Sequence, residues 1–243
     1  MSTHPLLHTP ESLLSSWRHS SLVCAIVLSG LLIFSHDAHA IEGVTSISVG
    51  ALHSCALTPT GAVMCWGYNS DGQLGDGTNT QRNSPVSIPS LTSGITSISS
   101  GQYHTCAITS AGAVMCWGQN SYGQLGDGTT TQRNSPVSIP SLTSGVTSVS
   151  SGEYHSCALT SSGAVMCWGL NSNGQLGDGT NTQRNSPVSI PSLTSGVTSI
   201  SSGAYHSCAL TSAGAAKCWG RNSYGQLGDG TTTMRHPLSP FLL

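Results

Sequence analysis

The sequence predicts an all-β protein of propeller-type repeats, with four blades of four short antiparallel strands each. Three observations carry this. First, His53, His104, His155 and His206 recur every 51 residues, and Trp66, Trp117, Trp168 and Trp219 recur at the same interval. A strict period of this length marks units that gain their stability by stacking on one another. Second, the apolar residues inside a unit alternate with a period of two, whereas helical repeats of similar length would show 3.6. Third, both faces of the central strands carry apolar or small side chains, as in a sheet covered on both sides.

The bulk composition narrows the class. Charged residues make up 7% of the 243-residue chain and the formal net charge is -2. There is no basic stripe, so recognition of nucleic acid is not expected. Hydrophobic residues reach 37%, enough for a packed core despite the scarcity of charge. Abundant Gly, Ser and Thr favour short strands joined by tight turns.

Residues 1–40 differ from the rest. Arg18 and His19 precede the apolar run "SLVCAIVLSGLLIF", residues 21–34, and "SHDAHA" follows with Ala38 and Ala40 in small-residue positions. The pattern predicts a secretory signal peptide cut after Ala40. An uncleaved anchor is the rival, but the run has 14 residues and a span needs about 20. Cleavage leaves residues 41–243 as a propeller repeat domain, with repeats at about 43–93, 94–144, 145–195 and 196–243. The expected location is secreted or periplasmic, with no stable membrane anchor. Cys24 leaves with the apolar run, so eight of the nine cysteines remain. An even count in an exported chain favours disulfides.

Within a unit the elements follow in order. In "VTSIS", Val44 and Ile47 flank small polar residues. In "HSCALT", Cys55 and Leu57 share one face and Ala56 takes the other; in "AVMCWG", Val63 and Cys65 oppose Met64 and Trp66. The short "SPVSIP", bracketed by Pro85 and Pro89, suits an edge strand. Four such strands describe a propeller blade.

The pattern "GxxHSCALTxxGxVxCWGxNxxGQLGDGT...R..P" resembles the regulator of chromosome condensation repeat, and the resemblance covers all four units, about residues 43–243. It implies a seven-bladed propeller with four-stranded blades. In that family the best-known member is a nucleotide exchange factor for a nuclear small GTPase, and many others are protein-interaction scaffolds. This chain departs in its signal peptide, in its four repeats and in lacking an insertion like the exchange-factor wedge, so exchange activity is not carried over. Four blades at sevenfold pitch sweep about 4/7 of a circle. The expectation is an open arc, a partial seven-bladed ring that self-association or another partner would close. A compact four-bladed ring would need a different wedge angle.

Repeat four differs from the others. Lys217 stands where Met64, Met115 and Met166 stand, and Ala216 replaces a valine. A charge between two blades is costly, whereas on an exposed terminal face it is harmless. Repeat four is therefore expected to be an end cap with Lys217 on its outer face; drift of a duplicated copy is the plain alternative.

The turn "TPTG" places Pro59 and Gly61 as in a type I turn followed by a left-handed glycine. Counting back from Thr58 opposite Ala62 puts Cys55 opposite Cys65 as a non-hydrogen-bonded pair, with Cα atoms about 4.5 Å apart. The same count pairs Cys106 with Cys116, Cys157 with Cys167, and Cys208 with Cys218. Disulfides, reduced core thiols and metal sites are the three readings; the export signal favours disulfides. Zinc normally needs a fourth ligand, and none recurs beside His53, Cys55 and Cys65. His53 and its copies are expected to hold the blade by a hydrogen bond.

No catalytic set is evident. There is no nucleophile elbow, no clustered carboxylate pair and no phosphate loop, so neither enzymatic activity nor a cofactor or metal is expected. "NSDGQLGDGT" resembles a calcium loop in composition, but only Asp76, Asp127, Asp178 and Asp229 persist, one carboxylate per unit. Turn chemistry is the simpler reading, with Arg82 and its copies pairing the aspartates.

Against nearly identical units, the differences stand out. One variable column is Leu52, Tyr103, Tyr154 and Tyr205, preceded by Ala51, Gln102, Glu153 and Ala204; a second is Tyr68, Gln119, Leu170 and Arg221; a third is Asp71, Tyr122, Asn173 and Tyr224. Tyrosines on rigid loops are common recognition residues. These columns form the candidate binding face of a non-enzymatic protein-interaction module whose protein partner the sequence does not identify. An exported effector acting on a small GTPase and a carbohydrate-binding propeller are the alternatives.

Overall fold

The computed structural model describes residues 41–236; the expected signal peptide and residues 237–243 lie outside them. Blade 1 is an antiparallel sheet of β1 (Ser46–Val49), β2 (His53–Leu57), β3 (Val63–Gly67) and β4 (Arg82–Ser87), in that order. Blade 2 repeats it with β5 (Ile95–Ser100), β6 (His104–Thr109), β7 (Val114–Gly118) and β8 (Arg133–Ser138). Blade 3 has β9 (Val146–Ser151), β10 (His155–Thr160), β11 (Val165–Gly169) and β12 (Arg184–Ser189). Blade 4 has β13 (Val197–Ser202), β14 (His206–Thr211) and β15 (Ala216–Gly220), with Arg235 bridging to Gly220 at the place of a fourth strand. No helix occurs among the described residues.

Turn chemistry sets the middle hairpin. Thr58 N donates to Ala62 O at 2.9 Å and Gly61 N to Thr58 O at 3.0 Å. Gly61 sits at φ 80°, where a side chain would be strained. The ladder then pairs Leu57 with Val63, Ala56 with Met64 and Cys55 with Cys65. The Cα atoms of each cysteine pair are 4.1 Å apart and the sulfurs are within bonding distance, 2.12 Å at Cys55–Cys65 and 2.09 Å at Cys157–Cys167.

Two bulges refine the expected strands. In β5 the register slips between Ile95 and Ser97, so Ile95 and Ile98, three residues apart, bury into the same cluster. The outer strand starts earlier than the proline brackets imply. β4 runs Arg82–Ser87 and contains Pro85. Its register jumps from Cys65–Val86 to Gly67–Arg82, and Pro85 falls where the ladder is broken and no N–H is required. Ile88 lies beyond the strand, fully buried.

Successive blades bury opposite faces against each other. Cys55, Leu57, Val63 and Cys65 of blade 1 close over Ala107 and Trp117 of blade 2. The same set recurs between blades 2 and 3 and between blades 3 and 4. The Trp-bearing face therefore looks back to the preceding blade, and the disulfide-bearing face looks forward. Lys217 is therefore not on the outer face expected of an end cap. Lys217 shares its face with Trp219 and so meets blade 3, not the outside. The methionine column is only half-buried in every blade, and a lysine stem can pack there with its ammonium in water. The outer face of blade 4 is marked instead by exposed Ala216 and by Leu210, 43% exposed where Leu57 is 5%.

A polar knot crosses each junction. His53 Nε2 lies 2.8 Å from Thr105 Oγ1, which donates to the Gln73 carbonyl at 2.9 Å; Trp117 Nε1 donates to the same carbonyl at 2.9 Å. Because the threonine proton is committed to Gln73, His53 Nε2 must carry the proton and donate. His104, Ser156, Gln124 and Trp168 repeat the knot, as do His155, Ser207, Gln175 and Trp219. Burial pushes the His53 pKa down to about 4 and those of His104 and His155 to about 3, so the rings are neutral. Among the described residues their Nδ1 atoms have no hydrogen-bond partner, consistent with the unprotonated nitrogen. Nearer the axis, Ser100 N donates to Ser48 Oγ at 2.8 Å, and Ser151 and Ser202 repeat the bond to Ser99 and Ser150. No hydrogen bond or core cluster joins blade 4 back to blade 1 among the described residues; the arrangement is open.

Candidate interaction face

The loop after each Trp-Gly is organised by an asparagine that sequence reasoning did not single out. Asn69 is fully buried. Its Nδ2 donates to Asp76 Oδ1 at 3.2 Å, Thr78 O at 3.1 Å and Thr80 O at 3.0 Å, while its Oδ1 accepts from Leu74 N at 3.0 Å. Asp76 is further tied to Arg82, at 2.8 Å to Nε and 2.7 Å to Nη2. All four units share this geometry. Burial alone would raise the Asp127 carboxyl, but hydrogen bonds from Thr129, Arg133 and Asn120 outweigh it and hold the pKa below the usual carboxylate range. The signal for Asn69 was its persistence in every unit, which could not be separated from turn preference.

This constant frame displays the variable columns. The amides of Tyr68, Gln119, Leu170 and Arg221 donate to the carbonyls of Leu52, Tyr103, Tyr154 and Tyr205, at 2.8 to 2.9 Å. The Gln73 side chain accepts from the amide of Asp71, and Gln124, Gln175 and Gln226 accept likewise from Tyr122, Asn173 and Tyr224, at 2.9 to 3.0 Å. Three columns that are separate in sequence thus emerge on one face.

On blades 2 to 4 the side chains meet. The Tyr103 and Tyr154 rings stack with centroids 6.2 Å apart, and Tyr122 meets Tyr154 edge-on at 5.0 Å. Tyr205 Oη donates to Glu153 Oε1 at 3.0 Å. The Arg221 guanidinium lies 5.6 Å from the Tyr205 ring centre and 5.4 Å from that of Tyr224. Burial, then the Glu153 charge, pushes the Tyr154 phenol up to about 12 and raises that of Tyr205, so both remain hydroxyl donors. Tyr224 is 85% exposed and Tyr122 37%, leaving ring surface free for a partner. Beside the cluster an open depression of about 290 Å³ lies where the inner strands end, lined by Gly50, Gly101, Gly152, Gly203, Gln102 and Glu153.

Not every variable residue joins this cluster. Tyr68 bonds the hydroxyl of its neighbour Ser70, Gln119 accepts from Gln124 at 3.2 Å, and Asn173 bonds Ser172. Leu170 and Asp71 make no ring contact; burial raises the Asp71 pKa. Among the described residues no three His, Cys, Asp or Glu side chains are grouped so as to hold a metal ion.

A stack of four-stranded blades with His-to-hydroxyl knots and Gly-Gln-Leu-Gly loops defines a β-propeller repeat protein of the regulator of chromosome condensation type. The family model for the RCC1-like domain matches residues 30–242, and the chain belongs to that family. It is 38% identical over 196 residues to the mitochondrial RCC1 domain-containing protein RUG3 of Arabidopsis thaliana, covering 77% of this chain and 44% of that one. It is 34% identical over 204 residues to the ultraviolet-B receptor UVR8 of the same plant, covering 81% and 46%. The chain spans less than half the length of these curated relatives. Among solved structures, human WBSCR16 superposes with a TM-score of 0.73 at 27% identity, covering 88% of this chain and 58% of that one. Yeast RCC1 (Prp20), solved bound to Kap60, gives 0.70 at 22% identity, covering 83% and 49%.

Proposed function

We propose that this chain is an exported, non-enzymatic protein-interaction module that engages a protein partner through its tyrosine-bearing face. The observation that carries the reading is the convergence of Tyr103, Tyr122, Tyr154, Tyr205 and Tyr224 with Glu153 and Arg221 on one face. An invariant frame holding varied aromatic and charged groups is how a rigid scaffold presents a recognition surface. The relatives agree in kind: yeast Prp20 is described bound to Kap60, and its binding to Gsp1p and histones is reported with another structure. Export is supported by the leader-like residues 1–40 and by the four cysteine pairs at bonding distance.

Affinity capture on the wild-type protein, compared with the Tyr122→Ala/Tyr224→Ala double variant, tests the face. The partner captured by the wild type is expected to bind the variant at least about tenfold more weakly, with an unchanged melting temperature. Equal binding by both proteins refutes this face. Mass spectrometry of protein recovered outside the cytoplasm tests export, with Ile41 as the expected first residue; an N-terminus at Met1 refutes cleavage.

A further inference from the structure

The two ends of the stack carry the separate halves of the contact that joins every neighbouring pair of blades. At each internal junction the leading blade supplies a histidine Nε2 and a glutamine carbonyl, and the following blade supplies a hydroxyl and a tryptophan Nε1. At the outer face of blade 4, His206 packs on Gly203 as His53, His104 and His155 pack on their own glycines. Its Nε2 and the Gln226 carbonyl have no partner among the described residues. At the outer face of blade 1 the complementary donors, Ser54 Oγ and Trp66 Nε1, are likewise unmatched.

The apolar halves match as well. Ile47 is 67% exposed on blade 1, whereas its counterpart Ile98 is 9% exposed inside the stack. Leu210 is 43% exposed on blade 4, whereas Leu159 is 5%. Trp117 and Trp168 lie tight against Gly75 and Gly126, but no described residue lies against the equivalent Gly228.

We infer that the outer face of blade 4 docks head-to-tail on the outer face of blade 1 of a second copy of this chain, repeating the internal blade-to-blade junction. His206 Nε2–H then donates to Ser54 Oγ, while Ser54 Oγ–H and Trp66 Nε1–H donate to the Gln226 carbonyl. Along the inner strands the Val49 amide meets Ser201 Oγ, as Ser100 N meets Ser48 Oγ. Val49 lacks the hydroxyl with which Ser100 makes a second bond to Ser48, so the intermolecular junction is weaker than the internal ones and depends on concentration. Contacts of this heterologous kind either close a ring or propagate as an open array; two copies supply eight blades, within the range in which propellers close.

Sedimentation of the purified protein up to about 100 μM, together with Ile47→Glu and Leu210→Glu, tests the junction. Each variant buries an unpaired charge at one end only and should weaken association on the order of 100-fold. Both sites are exposed, so the monomer should fold; Val49→Lys and Ser201→Lys are the replacements if a melt shows otherwise. The distinguishing readout is the mixture. Ile47→Glu keeps an intact blade 4 face and Leu210→Glu an intact blade 1 face, so the two together should form a one-to-one dimer that neither forms alone. A discrete dimer or a longer series from the wild type supports the junction. A wild-type monomer throughout the range, variants that associate as the wild type does, or a mixture that stays monomeric overturns it.

Discussion

Trp66 and Trp117 occupy the same five-residue strand, VMCWG, one unit apart. Trp117 is fully buried and its Nε1 bonds the Gln73 carbonyl of blade 1. Trp66, with no described blade before it, is half-buried and makes no such bond among the described residues, whereas Trp168 and Trp219 repeat it. Identical local sequence thus yields different burial, because the environment of each tryptophan is built by the preceding unit. The core clusters each span two neighbouring blades, so the cohesion of this molecule depends on stacking, as in other repeat proteins.

The sharpest way to break this comparison is to truncate both tryptophans. Trp168→Ala, inside the stack, should lower unfolding free energy by about 3–5 kcal/mol, and Trp66→Ala by less than half of that. Denaturant titration of the two variants is the measurement, and equal losses would place the stability within blades. Next in size are the cysteine pairs. Cys106→Ala/Cys116→Ala should cost about 2–3 kcal/mol for a loop this short. In the intact protein, the half-exposed Cys208–Cys218 pair should be reduced before the buried pairs, as read by alkylation and mass spectrometry over time.

The histidines give a third test through pH. His104 and His155 bind a proton near pH 6.5 when unfolded but only near 3 in the fold, and His53 near 4. Between those limits the unfolded chain holds more protons, so the stability these histidines contribute is full above about pH 6.5 and is lost as pH falls. Removing one ring, as in His104→Gln, should flatten the slope by about 1.4 kcal/mol per pH unit, whereas half-exposed His206, with a smaller downward shift, should change it less. Smallest is Lys217→Met, which restores the residue type of the internal junctions and should stabilise by less than about 1 kcal/mol. A destabilising Lys217→Met would contradict its placement against blade 3.

The hairpins were legible because their determinants are local: "TPTG" fixes the turn, the turn fixes the register, and the register places Cys55 opposite Cys65. The direction of stacking was not. A period of two says that Met64 and Cys65 face opposite ways but not which face meets the preceding blade, so the sequence alone leaves the side of Lys217 open. The knot was hidden for a different reason. Its hub is the main-chain carbonyl of Gln73, which has no side-chain signature, and its hydroxyl is Thr105 at one junction but Ser156 and Ser207 at the others. The three tyrosine-bearing columns stood out against a constant background, but the contacts among them run between blades. The Tyr205–Glu153 bond spans 52 residues and no local pattern announces it.

The forward and backward faces of the junction are encoded together in every 51-residue unit. Unequal exchange between gene copies that adds or removes one such stretch in frame, wherever its breakpoints fall, yields a chain whose new neighbours already fit. Array length is therefore free to drift in evolution without compensating substitutions, whereas a change to one half of the junction is felt only by the neighbouring unit, as Thr105 and Lys217 illustrate.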